Sequence, residues 1–311
     1  MSMRHAIHHC LSLYRQCLLS AAALCVGGCS ATGLGFLDPA GPVAYGQREL
    51  FGWVVGLSLV VVLPVILLTP VLVWRYRYAR KDACYKPRWE FSLPMEVLSW
   101  GVPVVVVVIL GCLTWQRTQQ LDPYRPLQSS AAPLQVQVIA LDWAWLFVYP
   151  EQGVASLNEL TIPSGRAVHL SLTSASVMQS LMIARLSGQI YAMAGMRTQQ
   201  YLLADAPGQF IGRNTQFNGA GFQTQMFTAR SVDGPGFDSW LASVRHSGQR
   251  LSCERYRQLS HPPQPAPAPQ TLPVVETFAA VPAGLFDWVV KSFHPAAIAE
   301  CGVALHEGSH G

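Results

Sequence analysis

A chain of 311 residues that is 50% hydrophobic and only 12% charged is neither a disordered segment nor an ordinary soluble enzyme. Its net charge of +4 is small and scattered, which gives no basis for nucleic-acid binding. What remains is a membrane protein with room for one ordinary domain.

Residues 1–28 carry Arg4 and Arg15 and no acidic residue. The apolar run from Leu18 to Val26 has the length of a signal-peptide core and is too short to span a bilayer. It ends in Val26-Gly27-Gly28-Cys29. An apolar residue, two small ones and a Cys resemble a bacterial lipobox, in which Cys29 is acylated and becomes the mature N-terminus. The other reading is an uncleaved helix with an incidental Cys. On the first, 1–28 is a signal peptide and 29–49 a short periplasmic segment.

Leu50–Trp74 is free of charge over 25 residues, enough at ~1.5 Å per residue to cross the hydrocarbon. Val97–Trp115 is a second such stretch, giving a transmembrane hairpin over 50–116. Between them lie Arg75, Arg77, Arg80, Lys81, Lys86 and Arg88 against Asp82 and Glu90. A short loop rich in Lys and Arg stays cytoplasmic, so everything after Trp115 faces the periplasm. Cys253 and Cys301 are then the two cysteines sharing an oxidising compartment, and spacing leaves their pairing open.

A polar linker over 117–133 follows, with Pro123, Pro126 and Pro133. Leu134–Val138 alternates with period two, the pattern of a strand buried on one face. The segment Asp142–Tyr149 continues it and sets Trp143, Trp145, Phe147 and Tyr149 on one face. Val168–Leu172 alternates again, with His169 on the polar side. Short apolar runs separated by Gly, Pro and Ser reach to about Val244 and read as further strands. The expected domain is an all-β sandwich or Greek-key barrel over 134–260. The Pro-rich stretch 261–273 is a semi-rigid spacer. Beyond it, 274–311 holds Leu285, Phe286, Val289, Val290 and Phe293 at helical spacing, a short amphipathic helix with a tail.

Five blocks give this arrangement a family likeness. They are Leu37-Asp38-Pro39, Trp100-Gly101-Val102-Pro103, Asp142-Trp143-Ala144-Trp145, Tyr149-Pro150-Glu151-Gln152-Gly153, and the run from Gln189 to Met196. Together with the lipobox, and with the last two blocks at the right distance behind the hairpin, they resemble subunit II of the heme–copper respiratory oxidases, on the cytochrome o ubiquinol oxidase branch. The resemblance runs from Cys29 to about Phe293. It implies a cupredoxin-like sandwich on a two-helix anchor.

In cytochrome-c-accepting relatives this domain holds a dinuclear copper centre. Its ligands are a His, then Cys-x3-Cys-x3-His-x2-Met with a Glu between the cysteines. Here the first His position falls on Gln179, the cysteine positions on Asn214 and Asn218, and the Glu on Gln216. The second His falls on Phe222 and the Met on Gln225, with Met226 beside it. Amides and a phenyl ring cannot replace the thiolate and imidazole that copper requires. The resemblance therefore implies no cofactor in this chain, with quinol, hemes and copper in subunit I.

Glu96 stands at the cytoplasmic edge of the second helix. The resemblance implies a carboxylate there at the mouth of a proton-uptake route. The alternative is a Glu favoured at a helix start by the dipole. Trp143, Trp145, Phe147 and Tyr149 read either as sandwich core or as a docking surface for subunit I. The tail motif His306-Glu307-Gly308-Ser309-His310 matches HExxH, but Gly308 and the lack of a following ligand argue against a zinc site. Met193 and Met196 have no His or Cys beside them and read as packing.

The reading is an inner-membrane lipoprotein, subunit II of a proton-translocating ubiquinol oxidase, with subunit I, small membrane subunits and lipid as partners. Two rivals remain: a cytochrome c oxidase subunit II with unusual electron entry, and a stand-alone lipid-anchored binding or assembly protein.

Overall fold

A computed structural model of the chain describes residues 35–77, 90–129, 131–260 and 274–293. Two helices form the anchor, α1 (Pro42–Arg75) and α2 (Leu93–Gln120). Their apolar side chains, such as Val65, Ile66, Val107 and Val108, are exposed along the middle of each helix. That is the surface a bilayer covers. Pro64 and Pro70 lie inside α1 and Pro103 inside α2 without ending either helix.

Helix α1 begins eight residues before the apolar stretch read from the sequence, because its first turns pack against protein. At Gly41 an added Cβ would lie 2.1 Å from the carbonyl oxygen of Leu203, so only glycine fits where the helix meets the sandwich. Ala40 N donates to Arg185 O at 2.8 Å, and Asp205 N to Ala40 O at 3.0 Å. One turn on, Gly46 lets Leu121, the residue that caps the end of α2, approach closely. Arg117 and Glu49 pair across the two helices at 2.8 Å. Tyr201 N donates to Pro123 O at 2.9 Å and ties the linker down.

The domain is a sandwich of two sheets. Its strands are β1 (Leu134–Leu141), β2 (Ala144–Tyr149), β3 (Val154–Leu157), β4 (Glu159–Pro163) and β5 (Val168–Ser174). They continue with β6 (Gln179–Met182), β7 (Gln189–Ala192), β8 (Thr198–Leu202), β9 (Gly208–Asn214) and β10 (Met226–Val232). Then follow α3 (Gly234–His246), α4 (Cys253–Ser260), β11 (Glu276–Phe278) and α5 (Leu285–Lys291). One sheet runs β11-β3-β2-β1-β5-β8 and the other β4-β10-β9-β6-β7. The pairs β1–β5 and β4–β10 are parallel and the remaining pairs antiparallel. This is the mixed sandwich expected of a cupredoxin-like domain.

Trp145, Phe147 and Tyr149 fill the space between the sheets. Trp145 and Phe147 meet Phe227 at 5.8 and 5.0 Å, and Tyr149 meets Trp240 at 5.0 Å. Gly212, opposite Phe227 in the β9–β10 pair, leaves room for that ring. Tyr149 also ties the sheets together: its hydroxyl donates to Thr161 O and accepts from Thr161 N, both at 2.9 Å.

Two expectations change. The apolar run toward Val244 is helix α3 rather than strand. Asp233 caps it, accepting from Gly236 N at 2.9 Å, and Phe237, Leu241 and Val244 repeat at helical spacing on its buried side. The segment after the spacer also belongs to the domain. Strand β11 adds to the edge at β3, and α5 lays Leu285, Phe286 and Val289 on Ile139, Leu141, Leu146 and Val148. That cover explains why β1 stops alternating after Gln137 and is buried on both faces.

Candidate functional site

The end of the sandwich beneath Trp143 gathers most of the residues aligned with the copper-ligand positions. Gln179 opens β6, Asn214 closes β9, and Asn218, Phe222 and Gln225 lie on the loop leading to β10. The fold brings Gln179, Asn214, Asn218 and Gln225 into one hydrogen-bonded cluster. Gln225 is its hub, completely buried. Its Oε1 accepts from Asn214 Nδ2 at 2.9 Å and from Asn218 Nδ2 at 2.7 Å. Its Nε2 donates to Gln179 Oε1 and to Leu141 O, the latter at 3.2 Å. Gln179 Nε2 donates to the same Leu141 carbonyl at 3.0 Å.

Asn214 turns its oxygen to the backbone, accepting from Ser180 N at 2.9 Å and Gln216 N at 3.0 Å. Buried amides pair with one another because each offers both donors and an acceptor. Asn218 Oδ1 is the exception in the cluster, buried without a partner among the described residues. Gln216 contributes only its backbone to this cluster, and Phe222 turns to Phe217, their rings 5.7 Å apart.

Neutral carboxamides held by each other provide neither thiolate nor imidazole, so the residues present do not fit the copper centre that the fold family implies. Among the described residues no three His, Cys, Asp or Glu side chains converge. What the cluster does is hold the loop closed by hydrogen bonds.

Above the loop sits Trp143, in the left-handed backbone region at φ 62. Its ring covers Gly221 so closely that an added Cβ there would lie 2.1 Å from it. Asp142 accepts from the Ser176 hydroxyl at 2.6 Å and steadies the turn. That left-handed turn corrects the expected shared aromatic face. Trp143 is half-buried on the loop, whereas Trp145, Phe147 and Tyr149 are completely buried in the core. The three buried rings are packing residues and cannot present a docking surface. The indole N–H of Trp145 is buried without a partner among the described residues.

Glu96 lies in the first turn of α2, exposed, and accepts from the Trp100 indole at 3.1 Å. Met193 and Met196 lie at the turn after β7, Met196 more than half exposed. Cys253 is disulfide-bonded. Cys301, the partner considered from the sequence, lies outside the described residues, as do Cys29 and the HExxH tail. The hub role of Gln225 is the part that position-by-position reading missed. The signal was present, since amides stand at Gln179, Asn214, Gln216, Asn218 and Gln225 together.

Ubiquinol oxidase subunit 2 of Acetobacter aceti is 41% identical to this chain over 276 residues, covering 88% of the chain and 86% of that protein. Cytochrome bo(3) ubiquinol oxidase subunit 2 of Pseudomonas putida is 42% identical over 244 residues, covering 78% and 77%. The chain belongs to the ubiquinol oxidase subunit 2 family. No protein-family model matches it. Among solved structures, the periplasmic domain of cytochrome oxidase subunit II (CoxB) of Bradyrhizobium japonicum matches at 20% identity and a TM-score of 0.36. That match covers 39% of this chain and 99% of that one. As a member of the ubiquinol oxidase subunit 2 family, the chain is one subunit of an oxidoreductase complex with partner subunits. Its two apolar helices and sandwich agree with an inner-membrane protein bearing a periplasmic domain.

Proposed function

We propose that this chain is the non-redox cap of a complex that oxidises ubiquinol and reduces oxygen to water while moving protons outward. The observation that carries the reading is the amide cluster. The positions that would receive electrons from a soluble donor are joined to one another by hydrogen bonds instead. A lipid-soluble donor delivers electrons within the membrane, so such a complex needs no periplasmic port, and hemes, copper and quinol then belong to subunit I. The test is turnover of the purified complex with two donors. Oxygen consumption is expected with ubiquinol and absent with reduced cytochrome c; sustained turnover with cytochrome c overturns the reading.

Three finer assignments go with it. Cys29 carries lipid, which the position of Phe36 supports: its ring meets Phe51 of α1 at 5.4 Å and brings the start of the described chain beside the membrane helix. Mass analysis of the mature chain, compared with Cys29→Ser, checks this. Subunit I docks against Trp143 and the exposed Phe217 on the adjoining loop, which cross-linking from Phe217 tests. Glu96 stands at the mouth of proton uptake, steadied by Trp100. Glu96→Gln is then expected to slow proton uptake while the complex still assembles.

A further inference from the structure

A second polar site lies where the hairpin meets the sandwich. A pocket of about 150 Å³ opens there between the periplasmic ends of α1 and α2, the linker and the β6–β7 turn. Gln47, Asp122, Arg125, Val43 and Leu127 are among the residues that line it. Its height is fixed by the helices. Gln47 stands three residues before the apolar stretch begins at Leu50, and Leu121 six beyond Trp115. At ~1.5 Å per residue those are ~4.5 and ~9 Å above the hydrocarbon. The headgroup layer on each side of a bilayer is about 5–7 Å deep. Gln47 lies within that layer and Leu121 just above it, so the pocket spans its outer boundary.

Its charges are arranged unusually. Asp122 and Arg125 lie three residues apart on one turn, Arg125 N donating to Asp122 O at 3.0 Å, yet their side chains do not pair. The ion pairs among the described residues all involve other groups. Asp122 Oδ1 accepts from Tyr124 N at 2.9 Å. Oδ2, the Arg125 guanidinium and the half-buried Gln47 amide make no hydrogen bond among the described residues. A carboxylate and a guanidinium held apart beside one pocket complement a ligand with the opposite pair of charges. Guanidinium matches phosphate oxygens, and a carboxylate matches an ammonium. Val43 and Leu127 offer apolar contact to the glycerol end.

We propose that this pocket binds the headgroup of a zwitterionic aminophospholipid of the outer leaflet, its phosphate on Arg125 and Gln47 and its primary ammonium on Asp122. The lipid would brace the junction between anchor and cap. The proposal rests on the hairpin spanning the membrane, and the experiment separates the two.

The oxidase complex is purified with its full subunit II, placed in nanodiscs of phosphatidylethanolamine, phosphatidylglycerol or phosphatidylcholine, and its retained lipids read by native mass spectrometry. Phosphatidylethanolamine is expected to be retained over both others. Arg125→Ala and Asp122→Asn should each weaken that retention roughly tenfold or more, the loss of one charged hydrogen bond, with quinol oxidation unchanged. Arg125→Lys should keep most of it. Equal retention of the three lipids overturns the proposal, as does retention unaltered in both variants. Density for water alone, or for another subunit's side chain, in the pocket of the complex also overturns it. Release of subunit II by alkaline carbonate would remove the membrane-spanning reading itself, a failure distinct from lost lipid selectivity in a chain that stays in the membrane.

Discussion

The two polar sites of this molecule differ in how much bonding capacity they keep. At the loop before β10, neutral amides bond each other and the backbone, and among the described residues Asn218 Oδ1 is left over. At the junction with the hairpin, a carboxylate and a guanidinium flank an open pocket without pairing. A closed network contributes rigidity and has little left to offer a ligand. A site with separated charges keeps its capacity. The first site thus serves structure through its own hydrogen bonds, whereas the second keeps polar groups available to a ligand.

The contrast is broken most severely by returning ligands to the closed site. Replacing Gln179 and Phe222 by His, Asn214 and Asn218 by Cys, Gln216 by Glu and Gln225 by Met is expected to give copper uptake, read by metal content and visible absorption. The expectation follows from the convergence of Gln179, Asn214, Asn218 and Gln225 in the fold. A folded variant that binds no copper would show that the loop has diverged in shape as well as in side chains.

Removing only the hub is the next largest change. Gln225→Leu deprives Asn214, Asn218, Gln179 and Leu141 O of a partner. At 1–3 kcal/mol per orphaned buried group, a loss of roughly 4 kcal/mol is expected in thermal or denaturant unfolding. Tyr149→Phe removes both bonds to Thr161 and is expected to cost about 2 kcal/mol. It also changes the alkaline limb. Burial raises the pKa of Tyr149 above its ordinary 10.0, so the folded state favours the protonated form. That contribution is complete below about pH 10 and is lost as the pH rises further, because the unfolded chain ionises first. The Phe variant should lose less stability than the parent above pH 10.

Gly221→Ala forces a methyl against the Trp143 ring, with an expected cost of about 1–3 kcal/mol and a shift in tryptophan fluorescence. Glu49→Gln, which breaks the partly exposed pair with Arg117, should change stability by only about 0.2–1 kcal/mol. Equal losses at Gln225 and Glu49 would erase the distinction between the two ends.

The sequence carried the hairpin plainly, because an uncharged stretch such as Leu50–Trp74 has few alternatives. The sandwich was legible in the period-two runs of β1 and β5. Three things were not legible. The left-handed Trp143 takes that ring out of the face it shares by alternation, and no local pattern marks a positive φ at a tryptophan. Helix α3 hid because Phe237, Leu241 and Val244 also suit short strands. The cover over Ile139 and Leu141 comes from residues more than a hundred positions later, and such contacts leave no trace in a local window. The junction pocket likewise depends on how Gln47 and Arg125 meet in space.

The position of β11 has a consequence for how the molecule is made. The sheet edge at β3 is closed by Glu276–Phe278, and its outer face by Leu285–Lys291. Both stand C-terminal to every other described element of the sandwich. The cap therefore completes its fold only after Lys291 has emerged. A chain arrested within the Pro-rich spacer would present a bare strand edge and a greasy outer face to periplasmic chaperones and proteases.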